Sequence, residues 1–498
     1  MPSRLLGRGA RAAASWSAEE RDAVLYAASA LFAIVTAQGS SIALYQQWGR
    51  LAVGPYAAGA VASAVAARRA RRRAAAASGG DGATTGAASP TWHWTTSRTV
   101  IFLVVFVGAT LGPLALEVLW QTTSGGTAHV QPEALVVEGS GTRLAHGKPL
   151  YRNIDGHHER ITPPAGQPAY DVYNPYLPLM SLFGLPSSTK APRRLTDARV
   201  AFSLITILVV VAALAMCRGP SGPRVLSLQA MTVFPTAALP LATGGDDLPI
   251  AALLLLGLVL LQKRRPLAAG IVLGVAASMK ITAWPLAFLA LLVATGGDGR
   301  RGRRPTLWLL AGLAGVMVPS ILPTFVGNPA AFIDNVVRFP LGLAGITSPA
   351  SSPLLGHAIV SWFPGIHRLF TAVVAIAGGL IVLFVLVRHT PRSAADLSRL
   401  LGWVMLVAIL VAPSTRIGYL LYPIDFFIWA WLLRSEDLGS TVARPVEETA
   451  ALEAETASSG QSSSVTANSL IVKDVVCAVA SAPEPNVVGV TVTPSSHS

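Results

Sequence analysis

The sequence predicts an all-α, polytopic membrane protein, and three observations carry that prediction. Of 498 residues, 52% are hydrophobic and 13% charged, about half the roughly 25% charged content of a soluble domain. Uncharged runs at 99–116, 200–217, 225–245, 306–333 and 369–387 each reach or approach the ~20 residues needed to cross ~30 Å of hydrocarbon. The basic residues cluster at the edges of such runs, as topology signals do.

Taken in order, the apolar segments predict about 12 transmembrane helices, at 23–46, 51–67, 98–120, 199–217, 224–243, 248–262, 267–281, 283–296, 306–326, 368–388, 399–413 and 417–433. Arg68, Arg69, Arg71, Arg72 and Arg73 follow the second span, and Lys263, Arg264 and Arg265 follow the sixth. Arg218 and Arg224 flank the turn after the fourth, Arg300, Arg301, Arg303 and Arg304 precede the ninth, and Arg388, Arg392 and Arg399 follow the tenth. A cytoplasmic N-terminus puts all of these clusters inside, and twelve crossings return the C-terminus inside as well. The region 267–296 reads either as a hairpin or as a re-entrant pair.

Around the spans, residues 1–22 form an expected cytoplasmic tail, basic but without the short apolar core of a signal peptide. Residues 23–73 hold two helices, and 74–97 a linker of small residues. A membrane core at 98–434 includes an external loop at 121–198. Residues 435–498, rich in Ser, Thr, Val and Ala, form an expected disordered cytoplasmic tail. The net charge of +13 resides in clusters beside apolar runs, which argues for a bilayer and against nucleic acid as partner. Cys217 and Cys477 offer neither metal-ligand spacing nor a disulfide framework.

Loops as long as 121–198 usually bind or cover something. Its stretch 133–146, "EALVVEGSGTRLAH", suits a helix lying along the membrane interface, and "GKPLY" closes that helix as a turn. The proline-punctuated "YNPYLPLMSLFGLP" leads back toward the next span.

With these motifs in this order, the chain resembles the membrane glycosyltransferases of the GT-C type, specifically glycosyltransferase family 87. The resemblance covers roughly 98–434. It rests on Glu133, Gly147, "PLY" at 149–151, "YNPYLPLM" at 173–180, "GGDDLPIAALLLLGLVL", "LAAGIVLGVAASMKITAWPLAFLAL" and "RIGYLLYPIDFFIWAWLL". The chain departs from the family in having Glu133 where an Asp is usual, and its first two spans look additional to the shared core. The resemblance implies a GT-C-like bundle and an inverting hexosyltransferase. Such an enzyme would pass a hexose, mannose foremost, from a polyprenyl-phosphate donor to a glycan or glycolipid of the cell envelope, outside the cytoplasm.

That reaction needs a carboxylate to take the acceptor's hydroxyl proton and cations to hold the departing lipid phosphate. Glu133 is the first candidate base, Glu138 the second and Glu117 the third. The structural alternative for Glu133 is stabilisation of a helix first turn. Asp246 and Asp247 are candidates for sugar hydroxyls or a divalent cation, with a solvated turn as the alternative; no other cofactor is implied. Lys280 and Arg416 are candidate phosphate ligands, against snorkelling to headgroups. Tyr151, with Tyr170, Tyr173 and Tyr176, offers rings to stack on sugar faces, or interfacial anchors. His146, His157 and His158 read as surface residues, and Asp425 as a carboxylate inside a span in need of a partner. The competing classes are a secondary transporter and a lipid-linked sugar flippase; no repeat relates the two halves of the chain as transporters often show.

Overall fold

The computed structural model describes residues 16–78, 95–124, 128–154, 172–295, 303–346 and 350–437. All lie in the first of two compact units, Met1–Ser440; the second, Thr441–Ser498, falls outside the described residues. So do the tail to residue 15, most of the 74–97 linker, His157, His158 and Tyr170.

The described part is helical, with an isolated β-bridge between Ser351 and Thr415. Nine of its helices are long and apolar enough to cross a membrane, accompanied by three shorter apolar ones. The twelve expected crossings therefore become nine long and three short helices.

Helix α1 (Ala18–Gly39) opens on a capping box, in which Ser17 Oγ accepts from Glu20 N–H and Glu20 Oε2 accepts from Ser17 N–H. It ends at Gly39, and α2 (Ala43–Ser78) begins after a three-residue gap. The expected span at 23–46 ran through this break. The Gly-Ser-Ser sequence there turns the chain, with Ser40 Oγ accepting from Ile42 N–H. The next span is α3 (Thr96–Phe106), a π turn (Val107–Leu111) and α4 (Gly112–Ser124) in series. Pro113 has no N–H to donate, and the π turn just before it absorbs the mismatch.

Within the segment 121–198, α5 (Pro132–Ala145) is followed by a 3-10 helix, Pro178–Ser188, and the next long helix is α6 (Ala198–Ala215). Helices α7 (Ser221–Thr232) and α8 (Pro235–Thr243) form one broken span, with Pro235 starting its second part. The three short helices follow: α9 (Asp247–Gln262), α10 (Pro266–Ala277) and α11 (Trp284–Ala294). With 12 residues, α10 is about 18 Å long, well short of ~30 Å of hydrocarbon. Its backbone breaks at Ser278–Lys280, where Lys280 is extended at φ −153°, ψ 142°. Helix α12 (Arg303–Gly327) packs against α10 at a small-residue crossing. A Cβ on Gly270 would lie 2.2 Å from Leu309 O, and one on Gly312 2.5 Å from Leu267 O, so only glycine permits this approach. The bundle closes with α13 (Leu355–Trp362), α14 (His367–Arg388), α15 (Ala394–Val411) and the apolar span α16 (Ile417–Asp437).

Two polar clasps tie helix ends together at one end of the bundle. Asp22 accepts from Arg98 Nε at 2.7 Å and Nη2 at 3.0 Å, and from Gln229 Nε2 at 3.1 Å, joining α1, α3 and α7. Glu436, near the end of α16, pairs with Lys263 and accepts from the Arg218 and Gly219 N–H groups. Each is a buried carboxylate with full partners, as burial demands.

Candidate active site

The other end of the bundle carries the charged residues singled out in the sequence. The segment 121–198 is fastened there by backbone bonds. Leu177 N–H donates to Met279 O at 2.9 Å and Leu179 N–H to Ser278 O at 3.0 Å, so the break after α10 supplies the carbonyls that receive the loop. The start of α5 is held to the end of α8: Gln131 N–H donates to Thr243 O at 2.8 Å, and its Nε2 to Thr243 Oγ1 at 2.6 Å. Farther along, α5 lies on the 3-10 helix through two glycines. A Cβ on Gly141 would stand 2.1 Å from the Gly184 carbonyl carbon, and one on Gly184 2.0 Å from Val137 O. These contacts fix the first turn of α5, which bears Glu133.

Glu133 Oε1 accepts from Arg416 Nη1 in an ion pair that joins α5 to the start of α16, across 283 residues of sequence. The Glu133 and Arg416 side chains are 14% and 30% exposed, so the pair is sheltered without being sealed. Tyr45, from α2, and Tyr419 lie within electrostatic reach of it. Beside it is a second cluster. Lys280 Nζ lies 3.1 Å from Asp246 Oδ2 and 2.7 Å from Asp247 Oδ1, with the Tyr176 and Tyr419 rings at 5.6 and 5.5 Å. Tyr422 Oη donates to Asp247 Oδ1 at 2.6 Å and stands 3.0 Å from Thr282 Oγ1.

Burial pushes the Asp246 carboxyl up to about 6; Lys280 pulls it down, and Asp247 and Glu133 oppose that pull. Burial works against the Lys280 ammonium, but Asp246 and Asp247 outweigh it, and Lys280 stays charged with its pKa well above the usual value. The group thus holds three carboxylates against two cations. Among the described residues no cluster of three or more His, Cys, Asp or Glu is arranged to hold a metal ion.

The structure separates the three candidate acids. Glu138, one turn beyond Glu133, faces elsewhere: it pairs with Arg193 and accepts from Ala198 N–H at 3.0 Å, at the start of α6. Burial pushes its carboxyl up, against these partners. Glu138→Gln keeps an oxygen for Ala198, so we expect transfer activity to be nearly unchanged, with at most about 1 kcal/mol of lost stability. Purified enzyme assays and thermal unfolding check this. Glu117 is fully buried in α4 and lies 3.0 Å from His129 Nδ1. Arg199 braces the same corner by donating to His129 O at 2.6 Å and binding Asp197. Both acids anchor the frame around Glu133.

Tyr151 also belongs to the frame. Its Oη donates to Tyr176 O at 2.8 Å, and its ring meets Phe332 edge-on at 5.6 Å. Asp334 Oδ2 accepts from Asn153 Nδ2 at 2.8 Å and Tyr173 Oη at 3.2 Å, while Asn335 Oδ1 accepts from Asn174 N–H at 2.6 Å. This buried knot ties Asn153 to Tyr173 and Asn174, and so helps to hold Tyr176 over Lys280. Asp334→Ala should cost about 1–3 kcal/mol for each donor it strands, seen as a lowered unfolding temperature in detergent.

Tyr422, Thr282 and Tyr45 were not anticipated. Arg416, Tyr419 and Tyr422 recur every three residues through "RIGYLLY", one helix face of polar groups, and that spacing was the available signal. Tyr45 comes from a helix with no such sign. Arg416 is engaged by Glu133, which leaves Asp425, at 2% exposure, in a separate environment.

Compared with known proteins, residues 175–413 match the family model described as glycosyltransferase family 87. The matched range includes Tyr176, Asp246, Asp247 and Lys280; Glu133 and Arg416 flank it on either side. No curated protein and no solved structure matches the chain. Over residues 175–413 the chain is thus similar to glycosyltransferase family 87, and with the all-helical membrane bundle and the charged cluster at one end of it this match indicates a membrane glycosyltransferase.

Proposed function

We propose that this enzyme transfers a hexose, mannose being the favoured sugar, from a polyprenyl-phosphate donor to a glycan or glycolipid of the cell envelope. The observation that carries this reading is the meeting of a sheltered carboxylate, Glu133, with a cation, Arg416, beside the Asp246–Asp247–Lys280 cluster. In a single displacement the acceptor oxygen bonds to the anomeric carbon while the carbon–phosphate oxygen bond breaks, which inverts the configuration there. The acceptor's proton goes to Glu133. Asp246, Asp247 and Tyr422 are placed to hold sugar hydroxyls.

The helix directions support an extracytoplasmic site. Helix α2 carries Tyr45 near its start and Arg68–Arg73 near its end, and α9 starts at Asp247 and runs toward Lys263, Arg264 and Arg265. The basic turns thus lie opposite the site, as the positive-inside rule requires of a site facing outward. In this orientation both termini are cytoplasmic, and tags at residues 85 and 460 should be shielded from an impermeant reagent in intact cells, whereas one near 158 should react. Residue 158 shielded would reverse the orientation.

The test of the activity is radiolabelled sugar transfer from a polyprenyl-phosphate hexose in membranes containing the enzyme, run beside solute uptake into sealed vesicles. Transfer without uptake is expected. Uptake without transfer would instead favour the transporter reading.

A further inference from the structure

The two cations of the site are not equally available to an anion. Lys280 is already flanked by two carboxylates, Asp246 and Asp247, and is 8% exposed. Arg416 has one carboxylate partner, Glu133, and its side chain is 30% exposed. A phosphate entering the site meets less resistance at Arg416, where it competes with a single carboxylate, than at Lys280, where it would have to overcome two. Arg416 is also the better geometric match, since a guanidinium can present parallel donors to phosphate oxygens.

The same ion pair constrains Glu133. Its Oε1 accepts from Arg416 Nη1, so that oxygen is turned to the guanidinium and not toward an acceptor hydroxyl. Glu133 cannot be a ready base while Arg416 occupies it.

We propose that the donor phosphate draws Arg416 away from Glu133, so that arrival of the donor is what frees the base. This rests on the polyprenyl-phosphate reading above. The charge balance makes the exchange self-resetting. The donor is a phosphodiester with one negative charge. As the acceptor oxygen bonds to the anomeric carbon, the electron pair of the broken bond stays on the phosphate, which leaves as a monoester with a second negative charge. The acceptor's proton moves to Glu133, which becomes neutral and has no hold on Arg416. Loss of that proton and of the lipid phosphate restores the pair. Two consequences follow: the donor binds before the acceptor in a compulsory order, and the released polyprenyl monophosphate binds more tightly than the donor.

The decisive measurement is the affinity of the full-length enzyme, purified in nanodiscs, for a polyprenyl monophosphate. Glu133→Gln should bind it about tenfold more tightly than wild type, within the usual range of coupling between sites, although it should be defective in transfer. Arg416→Gln should bind it more weakly. The double variant should bind no more tightly than Arg416→Gln, because the gain depends on the freed guanidinium. A simple structural loss at Glu133 would weaken binding, so tighter binding is a sign that mere damage cannot give.

Initial-rate kinetics on the wild type give a second reading without any variant. Donor-first order is expected, and random or acceptor-first order overturns the inference. Unchanged or weaker binding by folded Glu133→Gln overturns it as well. If wild type transfers sugar but either of these results appears, the exchange alone is wrong. If wild type neither transfers sugar from the lipid donor nor binds the monophosphate, both the exchange and the proposed function fail.

Discussion

Glu133→Gln should lower sugar transfer by roughly a hundred- to ten-thousandfold, the usual cost of removing a general base, while the enzyme stays folded. Glutamine keeps the size of the side chain and an oxygen for Arg416 but cannot take the acceptor's proton. Arg416 is 30% exposed, so water can solvate the charge that the substitution uncovers, and a large stability loss is not expected. The loss should therefore fall on kcat, with KM for the donor unchanged or lower. Turnover of purified variant and wild type at saturating donor decides the matter. Near-normal turnover would remove Glu133 from the chemistry. Among the described acids, Glu138 and Glu117 are poor replacements, since each is already committed to a helix start or a half-buried histidine.

How far the sequence foretold this arrangement depends on the range of the interaction. Local signals served well. The helix at Pro132–Ala145 followed from a proline start and an amphipathic run, and the basic clusters marked helix ends on one side of the bundle. Glu133, Asp246, Asp247, Lys280 and Arg416 could each be noticed as polar residues at the ends of apolar segments. Their pairing could not. Lys280 and Arg416 looked like two equivalent phosphate ligands, and only the fold shows one held by two acids and the other by one. Contacts of this kind join residues separated by 33 or 283 positions, and no periodicity encodes such distances. The partners of Glu138 and Glu117 were hidden for the same reason: an acid that holds a distant helix start or a histidine looks, in one dimension, like an acid awaiting a substrate.

Lys280→Met should have the largest effect on stability of any single substitution in the site, and for a reason different from the phosphate contact expected from the sequence. Removing the ammonium leaves Asp246 and Asp247, 2% and 8% exposed, side by side without a cation between them. Breaking a buried pair by deleting one partner costs about 3–5 kcal/mol, enough to consume much of a typical folding free energy. The damage should depend on pH. Asp246 already has its carboxyl raised to about 6, and Lys280 is what holds it down, so without Lys280 it rises further. A carboxyl raised in the folded state contributes stability below its unfolded value, and that contribution fades as pH rises through the folded value. The variant should consequently lie closest to wild type near pH 5 and fall away from it toward pH 8, as thermal unfolding at the two pH values would show. Replacing Asp247 by Asn in the same chain removes one of the stranded charges while leaving an oxygen for Tyr422, and should recover part of the lost stability without restoring transfer. If Lys280→Met were as stable as wild type at pH 8, the two aspartates would not depend on Lys280 for neutralisation, and the sequence-based view of Lys280 as a free phosphate ligand would regain its force.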